Sequence, residues 1–465
     1  LLKQLLQKYQ KKQIKIKSNN MLRTFRIGGI HPPENKLSAG KKITVLAAPK
    51  QVIIPLGQHI GAPAQAVVQK GDVVKVGTLI AKAGGFVSAN IHSSVSGKVN
   101  KIDNALDASG YKRPAIFIDV DGDEWEETID RSNTLVKECS LSAKEIVAKI
   151  AQAGIVGMGG ATFPTQVKLT PPPGSKADII IVNAVECEPY LTADHSLILE
   201  KAEQILVGTS LLMKAVDVNR AVIGIENNKP DAIALLQKLV GNYKGIEVMP
   251  LKMKYPQGGE KQLIDAITNR QVKSGALPIS EGAIVQNVGT VYAIYEAVQK
   301  NKPLFERVVT VTGKSVANPS NFLVRIGTPV SVLIDAAGGI PEDTGKIING
   351  GPMMGKALMS TDVPVTKGSS GILLLTRKES ERKPANDCIR CGKCIDVCPM
   401  GLNPTLLMNA TEFKNWELAE KNHITDCIEC GSCIYTCPAY RPLLDYIRSG
   451  KGTVMNIIRA RKATK

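Results

Sequence analysis

The sequence predicts a multidomain chain, α/β plus β, that ends in a small α-helical module. Three observations predict it. Residues 67–102, "VVQKGDVVKVGTLIAKAGGFVSANIHSSVSGKVNKI", alternate apolar and polar residues with glycine at each bend, which is the period of a β module. Between 177 and 299, apolar strands alternate with amphipathic helices, the order of an α/β layer. Eight of the ten cysteines fall between 388 and 437, in two matching runs. The 465 residues allow three or four domains, at about 100–150 residues each.

Composition narrows the partners. At 43% hydrophobic and 22% charged the chain is ordinary globular material. Only 4% is aromatic, so stacking platforms for bases are scarce and no nucleic-acid partner is expected. The net charge of +17 is uneven: residues 1–20 and 441–465 carry +6 each, leaving +5 for the rest. Residues 1–20 lack the apolar core and cleavage site of a signal peptide. They are set aside as a disordered or non-native basic extension, with Met21 as the natural start, and 449–465 is read as a basic tail. The longest apolar runs, such as "GILLLT" at 371–376, fall short of the ~20 residues that span a bilayer.

The α/β stretch begins with a helix over 142–153, capped by Ser142 and ended by Gly154. A glycine loop, "GIVGMGGATFPTQVKLTPPPG" (154–174), follows it. A dinucleotide fingerprint should follow a strand, so this loop fails that context; it remains either a turn or a set of bare N–H groups facing a phosphate, with Lys168 adding charge. Strands are then expected at 177–183, 221–226, 246–251 and 283–287, and helices at 199–216, 230–240, 260–269 and 289–299. Asn183, Glu186 and Glu188 follow the first strand directly, where open α/β sheets bind ligands.

The cysteine runs are Cys388-x2-Cys391-x2-Cys394-x3-Cys398-Pro399 and Cys427-x2-Cys430-x2-Cys433-x3-Cys437-Pro438. Zinc sites pair C-x2-C units and lack the third evenly spaced Cys and the Cys-Pro. The spacing is that of two [4Fe–4S] clusters in which the fourth cysteine of each run ligates the other cluster. One set is therefore Cys388, Cys391, Cys394 and Cys437; the other is Cys427, Cys430, Cys433 and Cys398. The stretch between the runs has helical spacing, so the module is expected to be an α-helical double-cluster ferredoxin domain, with Trp416 and His423 packing rather than ligating.

Four stretches, "GMGGATFPTQVKL", "NAVECEPYLTAD", "YPQGGEKQL" and "VQNVGTVYAI", follow one another in that order. Together they resemble the flavin- and NADH-binding subunit of respiratory complex I and, more closely, the C subunit of the Rnf electron-transport complex. The resemblance implies non-covalent FMN with NADH stacked on it. It places Gly157, Gly159, Gly160, Lys168 and Asn183 against FMN, and Glu186, Glu188, Gly259 and Glu260 along the flavin and nicotinamide site. Phe163 would stack on adenine, and Asn287 and Thr290 would sit near the FMN phosphate. Met158 and Val185 stand where complex I has Arg and Asp. Cys187 is read as a small buried neighbour in preference to a redox-active thiol.

The flanks carry further resemblances. Residues 67–102 resemble a lipoyl/biotinyl-type barrel-sandwich, but Phe86 occupies the position of the modified lysine, so a structural or docking module is expected. "FRIGGIHPPENK" (25–36) resembles the N-terminal signature of the Rnf protein. "RVVTVTGKSVANPSNFLVRIGTPVSVLIDAAGGI" (307–340) resembles the β-grasp SLBB domain. After it, Gly350, Gly351 and Pro352 make a turn, and Met353 and Met354 are candidates for packing between flavin and cluster. The expected domains are 21–130 (barrel), 131–302 (FMN/NADH), 303–376 (SLBB) and 377–448 (ferredoxin).

A nucleotide site, a flavin and two clusters convert a hydride's electron pair into single electrons and conduct them. No Ser/His/Asp or Cys/His constellation is present, and no side chain is expected to be catalytic. The resemblance implies an NAD:ferredoxin oxidoreductase subunit, peripheral on the cytoplasmic side of the cell (inner) membrane. Integral membrane and ferredoxin-like Rnf subunits would be its partners, coupling the electrons to ferredoxin and to Na⁺ or H⁺ translocation. The alternatives are a soluble cobalamin reductase of the propanediol-utilisation type, or a subunit of a SoxR-reducing complex.

Overall fold

The computed structural model describes residues 22–463, so the basic segment 1–20 lies outside the described residues. The first strand, β1 (Ile43–Val45), pairs in parallel with a strand of the third unit. The barrel comprises β2 (Gln51–Pro55), β3 (Gln65–Ala66), β4 (Val73–Val74), β5 (Leu79–Lys82), β6 (Ile91–His92), β7 (Gly97–Leu106) and β8 (Lys112–Val120). Its two small sheets, β2-β8-β7-β4 and β3-β5-β6, close over Val52, Ile54, Ile80, Ile91, Ile116 and Ile118. Phe86 at the hairpin tip is 74% exposed.

Residues 22–46 do not join this barrel, although the expected 21–130 unit included them. Arg23 bridges to Leu251, Ile30 bridges to Tyr255, and Phe25 and Ile30 are buried. Ile30 packs on Tyr255 and the Lys254 ammonium lies 4.1 Å over the Phe25 ring, both on the α/β layer.

That layer begins with α1 (Ala143–Gln152), whose capping box pairs Ser142 with Glu145. It continues through α2 (Thr165–Lys168), β9 (Ile179–Ala184), α3 (Ala193–Ala215), β10 (Ala221–Glu226), α4 (Pro230–Leu239), β11 (Ile246–Leu251), α5 (Glu260–Thr268), β12 (Ala283–Asn287) and α6 (Val288–Lys300). The sheet is wholly parallel, in the order β11-β10-β9-β12. Ile180 and Val182 face a core shared with α1, α3, α4 and α6, while Ile179 and Ile181 face α5. Burial on both faces is why these strands read as unbroken apolar runs. Helix α3 starts at Ala193, earlier than the expected 199, and bends at Lys201, whose φ/ψ of −132/28 is not helical. The amphipathic pattern marks only the part beyond the bend.

The third unit contains β13 (Glu306–Thr312), β14 (Ser320–Arg325), α7 (Val330–Ala336), β15 (Thr344–Asn349), β16 (Lys356–Ala357) and β17 (Gly371–Thr376). Its sheet runs β1-β14-β13-β17-β15-β16, with α7 packed on Val309, Val311 and Ile372.

The last unit is helical: α8 (Arg377–Ser380), α9 (Lys393–Asp396), α10 (Pro404–Glu412), α11 (Trp416–Lys421), α12 (Ser432–Thr436) and α13 (Leu443–Ala463). Asn403 and Asn415 cap α10 and α11, which divide the stretch between the cysteine runs. Residues 449–463 are not a tail. They continue α13, where Ile447, Val454 and Ile458 pack with Leu407, Ala410 and Ile424. Arg448 and Lys451 on the same helix pair with Glu429.

Candidate nucleotide crevice and iron–sulfur module

From β9 the chain steps outward to β10 and β11, then returns to place β12 on the other side of β9. A crevice opens at such a reversal, beyond the carboxyl ends of the two strands. Asn183, next to last in β9, and Asn287, the last residue of β12, are register partners there. Asn287 Oδ1 accepts from the N–H of Gly289 at 2.9 Å, and its Nδ2 donates to Asp194 Oδ2 at 2.7 Å. Asn183 Nδ2 donates to the Gly258 carbonyl at 2.9 Å.

The glycine loop enters the same crevice. The Met158 N–H donates to Thr290 Oγ1 at 2.9 Å, and a Cβ on Gly159 would lie 3.1 Å from Asn287 Cβ. A larger residue here would have to push the Asn287 side chain aside by a few tenths of an ångström. Gly160, at φ +137, meets nothing within 4 Å, so the loop faces open space there. Phe163 closes the loop by accepting the Gly157 N–H at 2.9 Å. Lys168 Nζ donates to Glu260 Oε1 at 2.7 Å and to the Val285 carbonyl at 3.2 Å. Gly157, Gly159, Gly160, Lys168, Asn183, Gly259, Glu260, Asn287 and Thr290 thus converge on the elements that bound one crevice. A glycine loop open at Gly160, a lysine and two carboxamides suit a phosphate and a polar ring system, so the residues present fit FMN.

Two of the expected residues turn elsewhere. The Glu186 carboxylate accepts from the N–H groups of Asp194 at 2.8 Å and His195 at 3.2 Å. It supplies the cap that Thr192 does not give α3, which is why that helix starts early. The Glu188 carboxyl points to the third unit, accepting from Met353 N at 3.1 Å and Met354 N at 2.9 Å. A Cβ on Gly351 would overlap it. Burial pushes its pKa up to about 7. The same cause, reinforced by Glu186, raises Asp194 to about 7.

Lys36, which sequence reasoning did not single out, fixes this loop. Its ammonium donates to the carbonyls of Glu186 at 2.9 Å, Glu188 at 2.9 Å and Leu191 at 2.7 Å. The available signal was its place at the end of the "GGIHPPENK" signature. Behind the loop lies a small pocket lined by His31, Glu34, Lys36, Glu226, Lys254 and Tyr255 among others. Cys187 borders it, and burial pushes its thiol well up, which suits an unreactive neighbour.

The cysteine runs are structural copies. Positive φ recurs at Arg390 and Glu429, at Gly392 and Gly431, and at Gly401 and Tyr440, the same three positions of each run. Cys398 of the first run lines one pocket with Cys427, Cys430 and Cys433 of the second. Leu402, Leu407, Leu444 and Ile447 supply apolar wall. Burial, then neighbouring thiols, resists ionisation of Cys433. Such a crowded set becomes a donor set once iron supplies positive charge, so it fits a [4Fe–4S] cluster. Cys394 and Cys437 pack with Met408 and Leu443, in contact with Cys433 of that set, while Cys388 and Cys391 are exposed.

The flavin layer and the segment packed on it touch the set that contains Cys398 and Cys430. The Gly29 N–H donates to the Val397 carbonyl at 2.9 Å, and Gln262 Nε2 donates to the Pro399 carbonyl at 3.1 Å. Gly28 lies so close that a Cβ would overlap the Cys398 carbonyl. Tyr255 Oη donates to the Cys430 carbonyl at 2.8 Å. Met353 packs in the same apolar cluster as Cys187 and Cys430, whereas Met354 is 46% exposed.

Comparison with known proteins agrees with these parts. Family models match for the RnfC barrel sandwich hybrid domain over residues 24–123 and the Nuo51 FMN-binding domain over 150–296. The SLBB domain matches over 308–357 and a 4Fe-4S dicluster domain over 381–438. The C subunit of the proton-translocating ferredoxin:NAD(+) oxidoreductase complex of Clostridium ljungdahlii is 51% identical over 389 residues, 83% of this chain and 84% of its own. The Na(+)-translocating counterpart of Acetobacterium woodii is 46% identical over 440 residues, 93% and 97% of the two chains. The C subunit of the ion-translocating oxidoreductase complex of Rhodobacter capsulatus is 42% identical over 391 residues, 82% and 74%.

Proposed function

Because the chain belongs to the C-subunit family of ion-translocating ferredoxin:NAD(+) oxidoreductase complexes, we propose that it exchanges electrons between NAD(H), FMN and two [4Fe–4S] clusters as a peripheral subunit of such a complex. The observation that carries the reading is the seat of the Cys398, Cys427, Cys430 and Cys433 set directly against the loops of the nucleotide crevice. That set is proximal to the flavin. The set of Cys388, Cys391, Cys394 and Cys437 is distal, and its exposed Cys388 and Cys391 face the next carrier.

FMN supplies the conversion between a hydride's electron pair and single electrons. The chain supplies position. The Gly157–Gly160 loop and Lys168 receive the phosphate side, Glu260 holds Lys168 in place, and Asn183 and Asn287 fix the crevice walls. Glu186 and Lys36 hold the intervening loop in shape. The family assignment sets the cobalamin-reductase alternative aside. Among the described residues no helix is long and apolar enough to cross a membrane. Ion translocation is assigned to integral membrane subunits, and docking on their cytoplasmic face keeps this chain at the cell membrane.

Affinity purification of the tagged chain from solubilised membranes tests this. Integral membrane subunits, FMN and iron should co-purify, and NADH should bleach the preparation. A chain recovered alone and soluble, with clusters but no flavin, would overturn the reading.

A further inference from the structure

Tyr255 stands where the flavin layer meets the proximal cysteine set. It is 2% exposed and packs with Ile30, Cys430 and partly buried Cys187, Met353 and Val397. Its hydroxyl lies 2.8 Å from the Cys430 carbonyl oxygen and 3.3 Å from Glu188 Oε1. The phenol has one proton to donate. The Cys430 carbonyl can only accept, and it has the shorter contact. The Glu188 carboxyl already accepts from the N–H groups of Met353 and Met354.

Phenylalanine would fill this apolar site equally well, and a buried tyrosine hydroxyl is tolerated only where it finds a partner. The partner found is the peptide of a cluster ligand. A donor on that peptide draws electron density from it, which would favour the reduced, more negative form of a cluster held by Cys430.

We propose that Tyr255 is a positioning residue for the proximal cluster: its hydroxyl, given to the Cys430 carbonyl, raises that cluster's reduction potential and makes it the better electron acceptor. The proposal rests on the cluster assignment of the preceding subsection. It also accounts for a contact that joins residues 175 positions apart.

The test uses the full chain with FMN and both clusters, titrated anaerobically by EPR. In Tyr255→Phe, the reduced-to-oxidised ratio of the proximal cluster at a fixed ambient potential should fall by up to about tenfold, a midpoint lower by about 59 mV. The distal cluster should not move. A fluorinated tyrosine at position 255 keeps the shape and strengthens the donor, so it should shift the proximal midpoint upward even if Tyr255→Phe folds poorly. A proximal midpoint that ignores both changes, with wild-type FMN and iron content, overturns the proposal alone. A wild-type chain without FMN, or one in which Cys398→Ser removes the distal signal, overturns the assignment beneath it.

Discussion

Replacing Lys36 with methionine should unfasten the loop that shapes the flavin crevice. Methionine keeps the length of the apolar stem and removes the three N–H donors that hold the carbonyls of Glu186, Glu188 and Leu191. Hydrogen bonds from a charged donor are worth about 1.5–3 kcal/mol each, so three contribute roughly 4.5–9 kcal/mol. The desolvation of a buried ammonium, which lowers the Lys36 pKa, opposes this by several kcal/mol. A net loss of about 3 kcal/mol remains, or roughly a hundredfold in the population of the ordered loop. Titration of the apo chain with FMN, followed by quenching of flavin fluorescence, should show affinity weakened by about that factor. The thermal unfolding of the rest of the chain should change little. Lys36→Arg should rescue only partly, because a planar guanidinium cannot reproduce the tripod. Affinity within about threefold of wild type in Lys36→Met would refute the reasoning.

Cys398→Ser should remove the EPR signal of the cluster shared with Cys427, Cys430 and Cys433 and leave about half the iron; loss of the other signal would show that each run keeps its own fourth ligand. Lys168→Met leaves Glu260 without its 2.7 Å partner and should weaken FMN binding by roughly tenfold; unchanged binding would separate Lys168 from the flavin. Lys367 is fully buried between the barrel and the flavin layer, donating to the carbonyls of Asn90 and Gly154 at 2.7 Å each, and burial lowers its pKa from 10.5 to about 7. The folded state therefore resists the charged amine below pH 7, and the penalty fades as pH rises from 7 toward 10.5. Melting curves should show Lys367→Met gaining most on wild type near pH 7 and least near pH 10; a difference independent of pH would contradict a buried, titrating amine.

Local pattern makes much of this legible. The parallel strands are apolar runs with helices between them, and the structure follows them to within a residue or two at β10, β11 and β12. The cross-run role proposed for Cys398 comes from cysteine spacing, and Cys398 lines a pocket with the second run's first three cysteines. Charge conceals α13: five basic residues between 448 and 462 obscure the stripe of Ile447, Val454 and Ile458. The start of α3 is hidden because its cap is Glu186, seven residues upstream, reached through a left-handed turn at φ +48. Glu188 is legible as an acid just past β9, but its direction depends on Gly351, 163 residues away. The partners of Lys36 and Tyr255 are illegible for the same reason. Each side chain acts on a segment brought to it only by the packing of whole units.

The central claim is an order of electron flow: NADH, FMN, the Cys398-linked cluster, then the cluster of Cys388, Cys391, Cys394 and Cys437. Rapid mixing of the holo chain with NADH, freezing at successive times and recording EPR tests it most directly. The proximal signal should appear before the distal one, and in Cys398→Ser the distal cluster should stay oxidised over the wild-type interval. A distal signal that rises first, or clusters that NADH never reduces in a chain replete with FMN, would contradict the account.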